Sequence, residues 1–253
     1  MRAGRLGILL LLAIALGLGP AQANEPTQPA PAKALTIKAV LELFTSQGCS
    51  SCPRADALLK TYVDRPDVIA LTMAVDIWDY LGWKDTLANP FNTRRQRDYA
   101  RVGHSQVYTP QLVVNGMRHV VGSDAKAIEK AIAETNRELA ASRVDLSIRV
   151  AGDKLILAIG KAQPGAPHME ATVWIASVER SVTVEIKRGE NRGRSVTYYN
   201  VVRRLSPIGM WDGKAMTVKL ASRDIMRTAN ERCIVLLQKG ESGPILAAAE
   251  LKP

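Results

Sequence analysis

The chain has 253 residues, a formal charge of +10 and only three cysteines. Its length suits one large or two ordinary domains with buried cores, and so few cysteines exclude a disulfide-stapled scaffold. Basic charge often means nucleic acid, but an export signal at the start of the chain argues against such a partner and leaves solubility and weak attraction to anionic surfaces.

Residues 1–23 place Arg2 and Arg5 ahead of an apolar run from Leu6 to Gly19 and end on Ala21-Gln22-Ala23, the small-residue spacing that a signal peptidase reads. The run falls short of the ~20 residues that cross a bilayer. A signal peptide cut after Ala23 is therefore expected over an uncleaved anchor, giving a secreted or periplasmic protein with no transmembrane segment after cleavage. Losing Arg2 and Arg5 lowers the formal charge to about +8. Residues 24–34, rich in Pro and Ala, read as a flexible linker.

From Leu35, "LTIKAVLELFTS" is a dense apolar run of strand length, as expected of a strand buried on both faces. "QGCSSCP" follows, and then Ala55, Leu58, Leu59, Tyr62 and Val63 mark one face of a helix. "VIALTMAV" is a second buried strand, so the three elements imply a right-handed parallel crossover. A long connection, "DIWDYLGWKDTLANP", leads to a helix-like "FNTRRQRDYARV"; "QLVVNGMRHVV" is a hairpin turning at Asn115-Gly116, and Ser123 is placed to cap a last helix through Leu139. A parallel first pair followed by an antiparallel last pair is the thioredoxin arrangement, so residues 35–140 are expected to form an α/β thioredoxin-like domain. Residues 141–253 alternate at strand period in about eight short segments separated by turn residues, which predicts an all-β domain, sandwich or barrel-like.

The chemistry concentrates at Cys49 and Cys52. A thiol acts as a nucleophile through its thiolate, which a helix N-terminus stabilises with free N–H groups and the positive end of its dipole. Cys49 would attack a substrate disulfide and Cys52 would resolve the mixed disulfide, while Ser50 and Ser51 add hydroxyls nearby. Pro53 requires the regular helix to start near Cys52, leaving Cys49 on a turn before it. A lone CxxC also fits half a metal site or a small structural disulfide. Zinc wants four ligands, and His104, His119 and His168 are scattered, so no metal site is assigned and no cofactor is expected; two thiolates alone would still suit copper(I).

Other residues bear on the choice. Thr109-Pro110 sits just before the third strand, where thioredoxin-like proteins place a cis-proline beside the cysteines. Glu42, inside an apolar strand, is a candidate buried acid exchanging protons with Cys52, although its spacing is one residue longer than usual in thioredoxins; a Glu at a strand margin, or one tied to a structural lysine, is the alternative. Asp76, Trp78 and Trp83, beyond the second strand, would line a substrate groove or else pack as a loop over the sheet. "RRQRDYAR" and "KRGENRGR" read as solvated faces or turns, the alternative being a patch for an acidic partner. Cys233 opens an apolar strand and reads as a buried, inert thiol.

The runs "VLELFTSQGCSSCPRADALL", "AVDIWDYLGWKDTLANPFNTRRQRDYA" and "VYTPQLVVNG", with "GENRGRSVTYYNVVR" further on, resemble a family of secreted bacterial proteins of unknown function with a thioredoxin-like core. The resemblance implies that fold and export, and places Cys49, Cys52 and Pro110 on the family's paired cysteines and pre-hairpin proline. Where that family often has a second proline after the pair, this chain has Arg54. The expectation is an exported thiol-disulfide oxidoreductase acting on protein or small thiol and disulfide substrates in the envelope, against a non-catalytic binding module or copper(I) carrier.

Overall fold

The structure, a computed structural model, describes residues 37–165, 170–225, 228 and 230–251. The signal peptide, the linker and His168 lie outside the described residues.

The dense apolar runs become β1 (Ala39–Thr45) and β2 (Val68–Ala74), buried at every position. They pair in parallel from Ala39 opposite Val68 to Thr45 opposite Ala74, with α1 (Cys52–Val63) as the crossover. After α2 (Pro90–Val102), β3 (Gln111–Val114) returns antiparallel to β1 and turns into β4 (Arg118–Val121). Asn115 and Gly116 both take positive φ, 51° and 67°, as a two-residue hairpin turn requires. α3 (Ala125–Leu139) starts one residue later than its expected cap: Asp124, not Ser123, has the extended backbone of an N-cap, and its Oδ1 accepts the Ala127 N–H.

Strand alternation sorts the helices. Leu41 and Leu43 point to the face covered by α1 and α3, where they meet Ala55, Leu59 and Ile128. Val40 and Phe44 point to the other face, where they meet Tyr99 of α2.

The C-terminal half departs from expectation. It holds β5 (Leu146–Ala151), β6 (Lys154–Ile159), β7 (Ala171–Glu185), β8 (Ser195–Trp211), β9 (Met216–Ala221), the one-turn α4 (Ser222–Ile225), β10 (Glu231–Lys239) and β11 (Ile245–Glu250). "EATVWIASVE" and "SVTVEIK" are one strand: across Arg180, where the sequence reads as broken, β7 keeps one register against β8 from Val178 opposite Val202 to Glu185 opposite Ser195. Nor does this half stand apart as an all-β domain. β5, β6 and β9 make a small antiparallel sheet, but the other strands extend the first sheet in the order β11-β10-β7-β8-β2-β1-β3-β4.

The junction is a short parallel contact, Thr72 opposite Val201. Two side chains reinforce it: Thr72 Oγ1 donates to the Tyr199 carbonyl at 2.6 Å and Asn200 Nδ2 to the Ala70 carbonyl at 3.0 Å. Asn200 itself has φ 49°, a left-handed backbone that Asn tolerates. One face of β7 and β10 joins the α2 side of the core through Trp174 and Ile234; the other packs Ile175 and Val235 against Leu155 and Leu157 of the small sheet. The described residues fall in one compact unit. Among the described residues, no helix is long and apolar enough to cross a membrane, which says nothing of a β-barrel.

Candidate functional site

Cys49 and Cys52 are joined as a disulfide, Cα–Cα 5.4 Å, on the loop from β1 into α1. The loop is a pair of tight turns, with the Cys49 N–H donating to Ser46 O and the Cys52 N–H to Cys49 O. The helix begins at Cys52 with Ser51 as N-cap and Pro53 second, where a missing N–H is harmless. Cys49 therefore sits just ahead of the helix. The two sulfurs are unequal: Cys49 is 6% exposed and flanked by exposed Ser50 and Ser51, while Cys52 is fully buried. Ser51 Oγ lies 3.4 Å from Cys49 Sγ, close enough to donate to it.

The cis peptide bond at Thr109-Pro110 lies beside this loop. A Cβ on Gly122 would meet Leu43 Cδ1 at 2.5 Å, Ala55 Cβ at 3.2 Å and Pro110 Cβ at 3.4 Å, so proline, β1 and the first turn of α1 converge on a position only glycine fills. Trp78 ties the proline loop to the cysteine loop. Its Nε1–H donates to Thr109 Oγ1 at 2.7 Å, and its Cβ lies so near Gly48 that a side chain there would approach to 3.0 Å. Trp83 Nε1–H donates to Gln47 Oε1 at 2.8 Å, and Asp76 accepts from Thr93 Oγ1 at 2.6 Å. All three residues of the expected groove are thus half-buried and committed to bonds that brace the loops, and Tyr80, stacked at a tilt on Trp78, is the ring left open to solvent.

The other brace comes from far along the chain. The loop between β7 and β8 carries "KRGENRGR", which is not merely a solvated turn. Asn191, 1% exposed, donates through Nδ2 to the carbonyls of Gln47 at 2.9 Å and Cys49 at 2.8 Å. The Ser50 N–H donates to Glu190 Oε2 at 3.3 Å. Gly189 approaches Trp83 so closely that a Cβ would lie 3.2 Å from the ring's own Cβ. From the other side, buried Asp85 accepts the Gln47 N–H at 2.7 Å and the N–H groups of Leu87 and Ala88.

Beneath Cys52 lies an acid that the sequence reading passed over. Asp56 is one helical turn after Cys52 on the same face, 3% exposed, and neither carboxylate oxygen has a hydrogen-bond partner among the described residues. Burial above all, helped by the charge of Asp85, pushes its pKa up to about 8; the Thr45 hydroxyl, close by but outside hydrogen-bonding geometry, pulls the other way. Asp85 is raised too, by burial, against the three N–H groups that hold it. Tyr198 of β8 completes the pocket: burial and then the charges of Asp56 and Asp85 raise its phenol. The signal was present in the sequence as a carboxylate inside the stripe Cys52, Ala55, Asp56, Leu59, Tyr62.

Glu42 does not play that part. It shares the strand face of Val40 and Phe44, away from α1, and there meets Arg95 of α2. Arg95 Nε and Nη2 donate to its two carboxylate oxygens at 2.7 and 3.2 Å, and Tyr99 OH donates at 2.5 Å. Arg95 also donates to Gln238 Oε1 on β10, so "RRQRDYAR" supplies a buried clamp between sheet and helix as well as a solvated face. Glu42 is thus a structural carboxylate, but in mid-strand and paired with an arginine, not at a strand margin or tied to a lysine. Cys233 is fully buried in β10, and burial pushes its thiol up to about 12. Among the described residues, no group of three or more His, Cys, Asp and Glu side chains is arranged to hold a metal ion.

A profile of the family described as "Protein of unknown function (DUF1223)" matches residues 40–238. The crystal structure of protein AGR_C_4864 from Agrobacterium tumefaciens is similar at 38% sequence identity and a TM-score of 0.75, over 85% of this chain and 94% of that one. HBP35 of Porphyromonas gingivalis shares the fold alone, with 12% identity and a TM-score of 0.57 over 86% of this chain and 75% of that one. No curated protein matches the sequence.

Proposed function

This chain belongs to the DUF1223 family, whose description assigns no activity, and from that premise we propose that it is an exported thiol-disulfide oxidoreductase working through Cys49 and Cys52. One observation carries the reading: the disulfide at the start of α1 joins Cys49, 6% exposed beside exposed Ser50 and Ser51, to fully buried Cys52, which has an unpartnered carboxyl group one helical turn on. A purely structural bridge across three residues would stabilise little and has no use for that asymmetry.

In the oxidising direction of the pair, the Cys49 thiolate attacks one sulfur of a substrate disulfide. The new Cys49–substrate bond forms as the substrate S–S bond breaks, and the first substrate thiolate departs with the electron pair. Cys52 then gives its proton to the Asp56 carboxylate and attacks Cys49 Sγ, closing the internal disulfide and releasing the second substrate thiolate. Two electrons have passed from protein to substrate. Run backwards, with Asp56 returning the proton to Cys52, the same steps oxidise a dithiol. With its carboxyl pushed up to about 8, Asp56 can take up or release a proton near neutral pH, as transfer to and from Cys52 requires.

Export rests on Arg2, Arg5, the Leu6–Gly19 run and Ala21-Gln22-Ala23. It would place the protein in the bacterial envelope, where disulfide substrates exist. The test has two parts. Expressed with its own N-terminus in a bacterium, the protein should be recovered from the periplasm or medium beginning at Asn24; cytoplasmic protein still beginning at Met1 would refute export. Reduced protein should open an exposed substrate disulfide, and Cys49→Ser should abolish this while Cys52→Ser traps the mixed disulfide. Absence of exchange together with stoichiometric copper(I) uptake would make the pair a carrier instead.

A further inference from the structure

We propose that the cleft between α1 and β8 docks an extended, acid-rich segment of the partner protein whose sulfur pairs with Cys49, an inference that names the substrate class of the exchange reading and rests on it. The cleft, about 540 Å³, begins at Pro53, immediately after Cys52. One wall is the α1 face of Pro53, Ala57 and Lys60, and the other is Arg194, Ser195, Val196, Thr197 and Tyr199.

Three features decide what fits. First, Pro53 to Lys60 spans about 10 Å of helix axis, the length of roughly three residues of extended chain. Second, β8 pairs with β7 along Ser195–Tyr199 but meets β2 only from the Tyr199 carbonyl, held by Thr72 Oγ1, to Val201, so among the described residues Ser195–Tyr198 has an edge not paired with a strand. An extended segment can align against such an edge. Third, no carboxylate lines the cleft, whereas Lys60 and Arg194 do, and the adjoining cleft of about 340 Å³ adds Lys187 and Arg192 against one acid, Glu185. Arg194 is exposed and no ion pair is seen for it among the described residues; Lys60 lies over the Tyr199 ring at 5.3 Å and pairs with Asp64, an exposed partner that acidic ligand would replace at little loss. The occupant is therefore a chain segment carrying carboxylates two or three residues from its cysteine.

The same loop that walls the cleft holds Cys49, because Arg194 follows directly on Asn191 through the Arg194 N–H bond to the Asn191 carbonyl. A segment seated in the cleft thus lies against the same loop that holds Cys49.

Binding of fluorescein-labelled, cysteine-free hexapeptides to the oxidised full-length protein tests this, with one acidic, one neutral and one basic sequence followed by anisotropy in low salt. The acidic peptide should bind at least about 10-fold tighter than the basic one, and that preference should vanish in the Lys60→Glu/Arg194→Glu variant and at high salt. Equal binding of the acidic and basic peptides, or a preference that survives the double charge reversal, would overturn the proposal. Exchange of the wild-type protein with a small uncharged disulfide, measured alongside, reports the cysteine chemistry separately. Its absence would remove the exchange reading and leave the peptide result standing, whereas exchange without an acidic preference removes the docking site alone.

Discussion

Asp56→Asn should make the oxidised protein more stable and a poorer exchange catalyst at once. In the folded chain the Asp56 carboxyl titrates near 8, against 3.8 for an ordinary aspartate. Between those values the native state keeps a proton that the unfolded state has released, so stability falls as pH rises, with a slope approaching about 1.4 kcal/mol per pH unit. Integrated from pH 3.8 to 7, the penalty is about 4 kcal/mol, and because Asp56 is 3% exposed little of it is screened away by solvent. Asparagine never ionises, so the variant should lose this slope and gain up to about 4 kcal/mol at pH 7, less the desolvation of its own amide. Urea unfolding of the oxidised wild type and variant at half-unit steps from pH 5 to 8 measures it. Exchange rates of the reduced proteins, followed from pH 5 to 9.5, should carry in the wild type an Asp56 inflection near pH 8 on top of the ionisation of the attacking thiol and in the variant the thiol ionisation alone, with the variant at least about 10-fold slower. Parallel stability curves for the two proteins would refute the buried-acid assignment, and parallel rate profiles would refute its part in proton transfer.

Other substitutions separate the remaining roles. Glu42→Gln should cost about 3–5 kcal/mol of stability by stranding the buried Arg95 charge, yet leave the pH inflection of exchange in place, because Glu42 faces α2; a lost inflection would contradict that placement. Asn191→Ala frees the Gln47 and Cys49 carbonyls and should cost about 1–3 kcal/mol while speeding amide exchange across residues 46–50, and unchanged exchange there would refute the brace. In the reduced native protein an alkylating reagent at pH 8 should modify Cys49 first and leave Cys233, fully buried and pushed up to about 12, untouched until urea unfolds the chain. Cys233 labelling at the Cys49 rate would be incompatible with this burial.

How far the sequence discloses all this depends on the range of the interaction. The β1, α1 and β2 unit is legible because strands buried on both faces leave unbroken apolar runs, and because Cys52-Pro53 punctuates the helix start. The side on which a buried acid lies is legible only if strand parity is followed: Leu41 and Leu43 go with α1, so Glu42 must go with Val40 and Phe44. The one-residue excess in its spacing is the mark of that wrong parity. Asp56 was equally available, as the one carboxylate on the apolar stripe of α1. What sequence cannot disclose is Asn191, whose partners at Gln47 and Cys49 are separated from it by 144 and 142 residues, or the capture of β8 by β2 through Thr72 and Asn200. Alternation predicts that β8 is half-buried, but says nothing of which sheet it joins.

That captured strand is what makes the β-rich half part of the cysteine site rather than an appendage. β8 is pinned to β2 at Thr72 and Ala70, and just ahead of the pin it sets Tyr198 against Asp56. A few residues earlier, the loop leading into it presents Arg194 to the cleft and Asn191 to the Cys49 carbonyl. The proton environment of Cys52 and the surroundings of Cys49 are therefore set by one stretch of chain, residues 191–201. A substitution that shifts the register of β8 against β2 should alter the pH dependence of exchange and the grip on the cysteine loop together, whereas in a free-standing thioredoxin-like domain the two would vary independently.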